Sequence, residues 1–116
     1  MSRAQKIREE RLKFLWSDKN LEALSLYHCV LDLFDKVKFL VPFSRIVLRP
    51  HRGNTFLLIK GTVEKVTSIP YTQNNLADLI ELFNAEDGYY AYWSDKEGNK
   101  DTSKSGTFVT VVMNES

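Results

Sequence analysis

The longest amphipathic segment of the sequence sets the strongest constraint on the fold. Between about residues 18 and 40 the apolar side chains fall into two adjacent rows with heptad spacing, which predict one helix with a broad buried face. Ser17 or Asp18 is the expected N-cap, and Pro42 ends the helix because it lacks an amide donor and disfavours α geometry at Val41. The two rows are Leu24, Tyr27, Leu31, Phe34 and Val41, and Leu26, Val30, Leu33, Val37 and Leu40.

Two further helices are predicted from shorter patterns. Residues 3–15 carry charges spaced to pair and only a thin apolar stripe, which is typical of a mostly solvated helix. Residues 72–75 offer several N-caps before an apolar set with the spacing i, i+3, i+4 and i+7, and Gly88 is expected to close that short helix. The apolar set is Leu76, Leu79, Ile80 and Phe83.

The other apolar segments alternate as strands do. In residues 44–49, Ile46 and Leu48 alternate with side chains of the opposite face, so one face of this strand is expected to be buried. The segment PHRGN at 50–54 is expected to be a hairpin loop. Further strands are predicted at 55–60, at 62–69, which either continues the previous strand or forms one of its own, and at 89–94 and 107–113, which make a long hairpin.

These elements predict an α+β fold. Their order is α-α-β-β(-β)-α-β-β, which means two N-terminal helices, then an antiparallel-rich sheet of four to five strands with one further helix. The length of 116 residues fits one domain, so residues 1–116 are expected to fold as a unit. The longest apolar run, at 39–43, is far shorter than the roughly 20 residues that span a bilayer. Because no secretory signal is visible and Cys29 is the single cysteine, we expect a cytoplasmic protein without membrane contact.

Charge is the least ordinary feature of the composition. Residues 1–65 hold 13 basic and 7 acidic side chains, a net charge of +6, whereas residues 66–116 hold 3 and 8, a net charge of −5. Between Lys36 and Val63 there is no Asp or Glu. Arginines that project from one hairpin face could neutralise phosphates or dock on an acidic protein surface. A simpler alternative is that the basic hairpin pairs with the acidic last third inside the fold.

The strand YYAYWS at 89–94 has aromatic side chains on both faces. Tyr89 and Trp93 point to one side and are expected to join the core, whereas Tyr90 and Tyr92 point to the other. The second side is then either covered within the fold or a binding or dimer surface, because large exposed apolar patches are rare on monomers. The two-sided pattern therefore also predicts self-association.

The sequence has no recognisable motif for catalysis or cofactor binding. There is no Gly-rich phosphate loop and none of the common hydrolase or metalloprotease patterns. His51 could act as a base only beside a carboxylate that the sequence does not identify. The loop 95–106 has oxygen-bearing side chains at alternate positions, but Lys100 and Gly106 stand where a calcium loop needs Gly and Glu. We therefore predict no enzyme, no cofactor and no metal site.

Two functions compete for the remaining features. The first is a small non-enzymatic interaction protein, such as an inhibitor, an immunity protein or a phage-type modulator, that docks on a partner protein through complementary charge and exposed aromatic side chains. The second is a nucleic-acid binder that uses the basic segment 36–60, although a net charge of only +1 is low for that class. The predicted partner-binding residues are Arg45, Arg49, Arg52, Tyr90 and Tyr92, and the predicted nucleic-acid-binding residues are Lys36, Lys38, Arg45, Arg49, Arg52 and Lys60.

Overall fold

The computed structural model describes residues 20–37, 45–59, 62–101 and 108–113. These residues form two helices and one five-stranded antiparallel sheet, which confirms the α+β class. Among them a single helix precedes the first strand, not the two that the sequence predicts, and the predicted helix at 3–15 lies outside the described residues. The elements are α1 (Leu21–Val37), β1 (Arg45–His51), β2 (Asn54–Ile59), β3 (Thr62–Pro70), α2 (Gln73–Asn84), β4 (Tyr89–Ser94) and β5 (Phe108–Met113).

Helix α1 begins at Leu21 because Asn20 caps it. The Asn20 Oδ1 accepts a hydrogen bond from the backbone N–H of Ala23 at 2.7 Å, as an N-cap side chain does. The predicted caps, Ser17 and Asp18, are therefore too early in the chain. Neither described helix has the length and apolar composition that crossing a bilayer requires. Much of the two predicted apolar rows is buried in α1: Leu24, Leu26, Tyr27, Val30, Leu33 and Phe34.

Helix α2 begins at one of the several predicted N-cap candidates, but it ends earlier than predicted. Thr72 is the N-cap, and its Oγ1 accepts the backbone N–H of Asn75 at 3.1 Å. The helix stops at Asn84, four residues before Gly88, and Ala85 is its C-cap, with its N–H bonded to the Glu81 carbonyl at 3.0 Å. Gly88, with a φ of +96°, instead belongs to the turn that leads into β4.

The strands lie in the order β3-β2-β1-β5-β4, and all neighbours are antiparallel. The first hairpin is tighter than predicted, since Pro50 and His51 extend β1. Arg52 and Gly53 alone form the turn, with φ values of +52° and +82° that match a mirror-image hairpin turn. The proline is tolerated because β5 pairs with β1 only as far as Leu48, so Pro50 has a strand neighbour on one side only.

Both helices pack on one face of the sheet and form the core with it. Tyr89 and Trp93 pack against this core, as the alternation of the strand predicts, together with the fully buried Ile46 and Leu48. We call the opposite side of the sheet the second face. It carries Arg45, Val47, Arg49 and His51 of β1, Phe56 and Leu58 of β2, Val63 and Val66 of β3, Tyr90, Tyr92 and Ser94 of β4, and Phe108, Thr110 and Val112 of β5.

Candidate partner-binding surface

Two arginines and two tyrosines predicted to bind a partner share the second face. Arg45 and Arg49 lie on β1, and Tyr90 and Tyr92 lie on β4, with β5 between the two strands. The register places Arg45 and Tyr90 on either side of Val112 of β5. Strands are spaced by about 4.8 Å, so β1 and β4 are roughly 10 Å apart, a distance that arginine and tyrosine side chains can bridge.

The segment after β4 turns back and contacts this surface. Residues 95–101 form a small hairpin along β4, in which the N–H of Asp101 donates to the Trp93 carbonyl at 2.9 Å. The Tyr92 hydroxyl donates to the Gly98 carbonyl at 2.7 Å. We call residues 95–101 the edge hairpin, because it lies beside the outermost strand of the sheet and contacts side chains of the second face.

Asp95 organises the edge hairpin. Its carboxylate accepts hydrogen bonds from the backbone N–H groups of Glu97 at 2.8 Å and Asn99 at 2.9 Å, and from the Asn99 side chain at 3.2 Å. These bonds, that of the Asn99 backbone first, hold the pKa of Asp95 below its ordinary value. Among the residues that the structure describes, no three His, Cys, Asp or Glu side chains come close enough to hold a metal ion together.

The two arginines differ in their burial and in the contacts that they make within the chain. Arg45 is exposed, and its guanidinium lies against Gly98, where an added Cβ would stand 3.2 Å from the Arg45 Cζ. Arg49 is half-buried: its Nη2 donates to the Lys96 carbonyl, and its Nε is buried without a hydrogen-bond partner in the described part of the chain. Arg49 therefore anchors the edge hairpin, whereas Arg45 presents its charge to solvent.

Lys100 joins the surface although the sequence did not predict it. Its Nζ donates to the Tyr90 hydroxyl at 3.1 Å and stands 5.8 Å from the centre of that ring, within cation–π range. The rings of Tyr90 and Tyr92 are 5.4 Å apart. No local signal in the sequence shows that the loop returns along β4, so Lys100 could not be placed from pattern alone. We call this surface the basic–aromatic patch: Arg45, Arg49, Tyr90, Tyr92 and Lys100.

The predicted arginines are not paired with the acidic last third of the chain in the regions described. No ion pair joins Arg45, Arg49 or Arg52 to a described carboxylate, and Arg49 is instead bonded to a backbone carbonyl. The alternative that the basic hairpin is neutralised internally thus finds no contact to support it among these residues.

The other predicted residues lie away from the basic–aromatic patch. Arg52 is exposed in the turn after β1, roughly 20 Å along the strand from Arg45 at about 3.3 Å per residue. Lys36 is exposed in the last turn of α1, which packs on the opposite face of the sheet. Lys38 and Lys60 lie outside the described residues. Lys36 and Arg45 therefore face opposite sides of the sheet.

His51 is placed as a surface residue. It is exposed at the end of β1, and its ring stacks on that of Phe56 with 5.9 Å between the ring centres. No carboxylate in the described ranges bonds to this imidazole, so the partner that a catalytic base would need is not found there.

Comparison with known proteins yields no relative. No protein-family model, no curated protein and no solved structure matches the chain. The geometry of the described residues is therefore the sole basis on which a function can be assigned.

Proposed function

We propose that the protein is a small non-enzymatic interaction module that docks on an acidic surface of a partner protein through the basic–aromatic patch. The observation that carries this proposal is the convergence of Arg45, Tyr90 and Lys100 on one side of the sheet, with no described carboxylate paired to Arg45. An inhibitor, an immunity protein or a phage-type modulator would act in this way, since none of them needs a catalytic group.

The chemistry of the patch suits a protein surface rich in carboxylates. An exposed guanidinium can bind a carboxylate through two parallel hydrogen bonds, and a lysine adds a second cation beside it. Tyr90 is 40% exposed, so its ring can be buried by a partner. Tyrosine and arginine are the side chains that most often dominate the binding energy of protein interfaces.

The patch is also held in place before any partner arrives. Arg49 and Tyr92 donate hydrogen bonds to carbonyls of the edge hairpin, and Lys100 donates to Tyr90. Binding would therefore require little additional ordering of these side chains, and each rotamer-rich side chain that is already fixed saves about 0.5–1.5 kcal/mol of interface ordering.

The same surface fits a nucleic-acid ligand less well than it fits a protein partner. The patch offers three cationic side chains, and Arg49 among them is half-buried, whereas duplex-binding proteins often contact about 6–10 phosphates. Lys36, which the nucleic-acid hypothesis includes, lies across the sheet from Arg45. A protein partner is therefore the function that we favour.

The test compares two charge reversals on opposite sides of the sheet. Arg45→Glu and Lys36→Glu change the net charge equally, but only the first alters the patch. Tagged full-length chains would be used to isolate partners from the cells that produce the protein. We expect one stoichiometric protein to be retained by the wild type and by Lys36→Glu, and to be lost from Arg45→Glu. Circular-dichroism melting curves of the three chains would show that each is folded.

Two results would contradict the proposal. Equal retention of the partner by Arg45→Glu and Lys36→Glu would show that the patch is not the binding site. Retention of the chain on DNA or RNA, with an affinity that falls log-linearly between about 50 and 200 mM salt, would instead assign it to nucleic-acid binding.

A further inference from the structure

Strand β3 is an edge of the described sheet and is unusually exposed. Its one described strand neighbour is β2, and roughly half of the backbone N–H and C=O groups of such a strand point away from the sheet. All residues from Thr62 to Val66 are exposed, and Val63 and Val66 have 63% and 46% of their surface in contact with solvent. Apolar side chains on an exposed sheet edge mark a surface that can pair with another strand.

A bulge brings both valines to one side. The register steps from Leu57 opposite Lys65 to Leu58 opposite Val63, so Glu64 is an extra residue in β3. Val63 and Val66 are three residues apart and would point to opposite faces in a regular strand. Because of the bulge, both lie on the second face.

The exposed part of β3 is chemically self-complementary. From residue 63 to residue 66, all exposed, the sequence is VEKV. If two copies of this segment run antiparallel about a two-fold axis between Glu64 and Lys65, Val63 of each copy opposes Val66 of the other. Glu64 of each copy then opposes Lys65 of the other, so the charge pair is made twice. Pairs of β-branched side chains and of opposite charges both stabilise neighbouring antiparallel strands.

The charges also select this register. A shift that centres the axis on Glu64 would oppose two glutamates, and a shift that centres it on Lys65 would oppose two lysines. Like charges directly opposite each other destabilise a strand pair. The bulge is needed as well, because side chains opposed across antiparallel strands must share a face, and it is the bulge that places Val63 and Val66 together.

From these observations we propose that a second copy of this chain pairs along the free edge of β3, in the register that opposes Glu64 and Lys65, so that two five-stranded sheets become continuous. The contact is isologous, because the same segment meets itself about a two-fold axis. This contact differs from the self-association predicted for the second face of the strands at 89–94 and 107–113, because it uses the backbone edge of β3. The proposal goes beyond the docking function, since the basic–aromatic patch is built on β1 and β4 rather than on β3.

Sedimentation equilibrium of the full chain over a wide concentration range tests the pairing. The wild type is expected to form dimers in a reversible equilibrium. Glu64→Lys and Lys65→Glu each replace two attractive pairs by two repulsive ones, so each variant should raise the dissociation constant by about tenfold or more. The double variant that carries both changes should restore the wild-type constant. An equimolar mixture of the two single variants should form a heterodimer, because both of its charge pairs are attractive.

Matched controls separate this contact from general charge effects. Glu22→Lys and Lys36→Glu make the same charge changes on the exposed side of α1 and should leave the dissociation constant unaltered. Val63→Lys places a charge on the edge without involving the Glu64–Lys65 pair and should also raise the dissociation constant.

Several results would overturn the edge contact. One is a wild-type mass that stays monomeric at every concentration. Another is a dimer that survives both single reversals, or a dimer that Arg45→Glu disrupts and Glu64→Lys does not. Conversely, loss of the docking partner in Arg45→Glu with an unchanged dimer would leave the two surfaces independent, as we expect.

Discussion

At the β4 edge of the sheet, outward-pointing backbone groups are bonded within the chain, whereas in the described structure no such bond is made by Thr62–Val66 at the β3 edge. The side chain of Asn84 forms two hydrogen bonds with Ala91, donating to its carbonyl at 3.0 Å and accepting from its N–H at 2.8 Å. The edge hairpin adds a third, from the Asp101 N–H to the Trp93 carbonyl. Asn84 thus occupies the position that a neighbouring strand would take.

The difference shows that one sheet can have a closed edge, whose outward backbone groups are hydrogen-bonded within the chain, and an open edge, whose outward groups can pair with another strand. An edge strand is a template for another strand unless its free groups are covered, charged or twisted away. β4 is covered by a helix-end amide and by its own hairpin. β3 has instead a bulge, the adjacent opposite charges of Glu64 and Lys65, and two exposed valines. In the proposed dimer these features restrict pairing to one register rather than prevent it. Changes to the contacts that cover β4 should therefore make that edge resemble β3.

Asn84→Ala should have the largest effect, because it opens the closed edge. Ala91 is only 2% exposed, so both of its backbone groups would lose a partner in a position with little access to water. The free energy of unfolding should fall by about 1–3 kcal/mol, the usual cost of leaving buried polar groups unbonded. Urea denaturation followed by circular dichroism measures this change. The variant should also form species larger than the wild-type dimer, because a second edge can then pair.

Asn74→Ala is the matched control for that variant. Asn74 is exposed on the same helix and has no side-chain hydrogen bond within the described ranges, while the replacement changes helix propensity in the same direction. If the two variants were equally stable, the Asn84 amide would contribute nothing to closing the edge, and the contrast between the two edges would fail.

Tyr92→Phe should have a smaller effect, because it weakens the edge hairpin and leaves Asn84 in place. The lost hydroxyl donates to the Gly98 carbonyl at 2.7 Å, and a typical intramolecular hydrogen bond contributes about 0.5–1.5 kcal/mol. Amide hydrogen exchange at Asp101 would report the opening directly, since that N–H is bonded to β4. We expect faster exchange at Asp101 and unchanged exchange at Ala91.

Tyr90→Phe removes the neighbouring hydroxyl and serves as the comparison. That hydroxyl accepts from Lys100 at an exposed position, so the change in stability should stay within about 0.5 kcal/mol. If Tyr90→Phe accelerated exchange at Asp101 as much as Tyr92→Phe does, the bond between Tyr92 and Gly98 would not be what holds the edge hairpin.

Features that depend on residues close together in the sequence, such as a helix start or the buried face of a strand, could be predicted. The N-cap candidates at 72–75, followed by an apolar set at helical spacing, predict where α2 begins, and Thr72 is the cap in the structure. The alternation in 44–49 and 89–94 predicts the correct faces for Ile46, Leu48, Tyr89 and Trp93. These signals work because the period of the side chains reports directly which face is buried. The common face of the patch strands follows from the same alternation once the strand order is known.

Features that depend on distant contacts could not be predicted. The strand order decides that Arg45 and Tyr90 become neighbours across β5, and no short pattern encodes it. No sequence signal distinguishes Asn84 from an ordinary helical residue, although its side-chain amide bonds to a strand seven residues later. The bulge at Glu64 did leave a trace, since Val63 and Val66 break the period of two expected for a strand.

Lowering the pH should have the smallest effect on the β4 edge. It should loosen the edge hairpin and leave the contact between Asn84 and Ala91 intact. The Asp95 carboxylate is hydrogen-bonded in the folded chain, foremost by the Asn99 backbone N–H, and its pKa is lowered. A group whose folded pKa is depressed stabilises the fold above its unfolded pKa, near 4 for aspartate, and loses that contribution as the pH falls through the folded value. The edge hairpin should therefore loosen only below about pH 4.

Nuclear magnetic resonance can follow this transition at individual amides. The Glu97 and Asn99 N–H signals should shift together as Asp95 is protonated, because both bond to its carboxylate. The Ala91 N–H should not follow them, since the Asn84 amide that holds it does not titrate. In Asp95→Asn the shared transition of Glu97 and Asn99 should vanish. Its persistence there would assign the titration to another carboxylate and leave the hairpin closed by Tyr92 and the backbone alone.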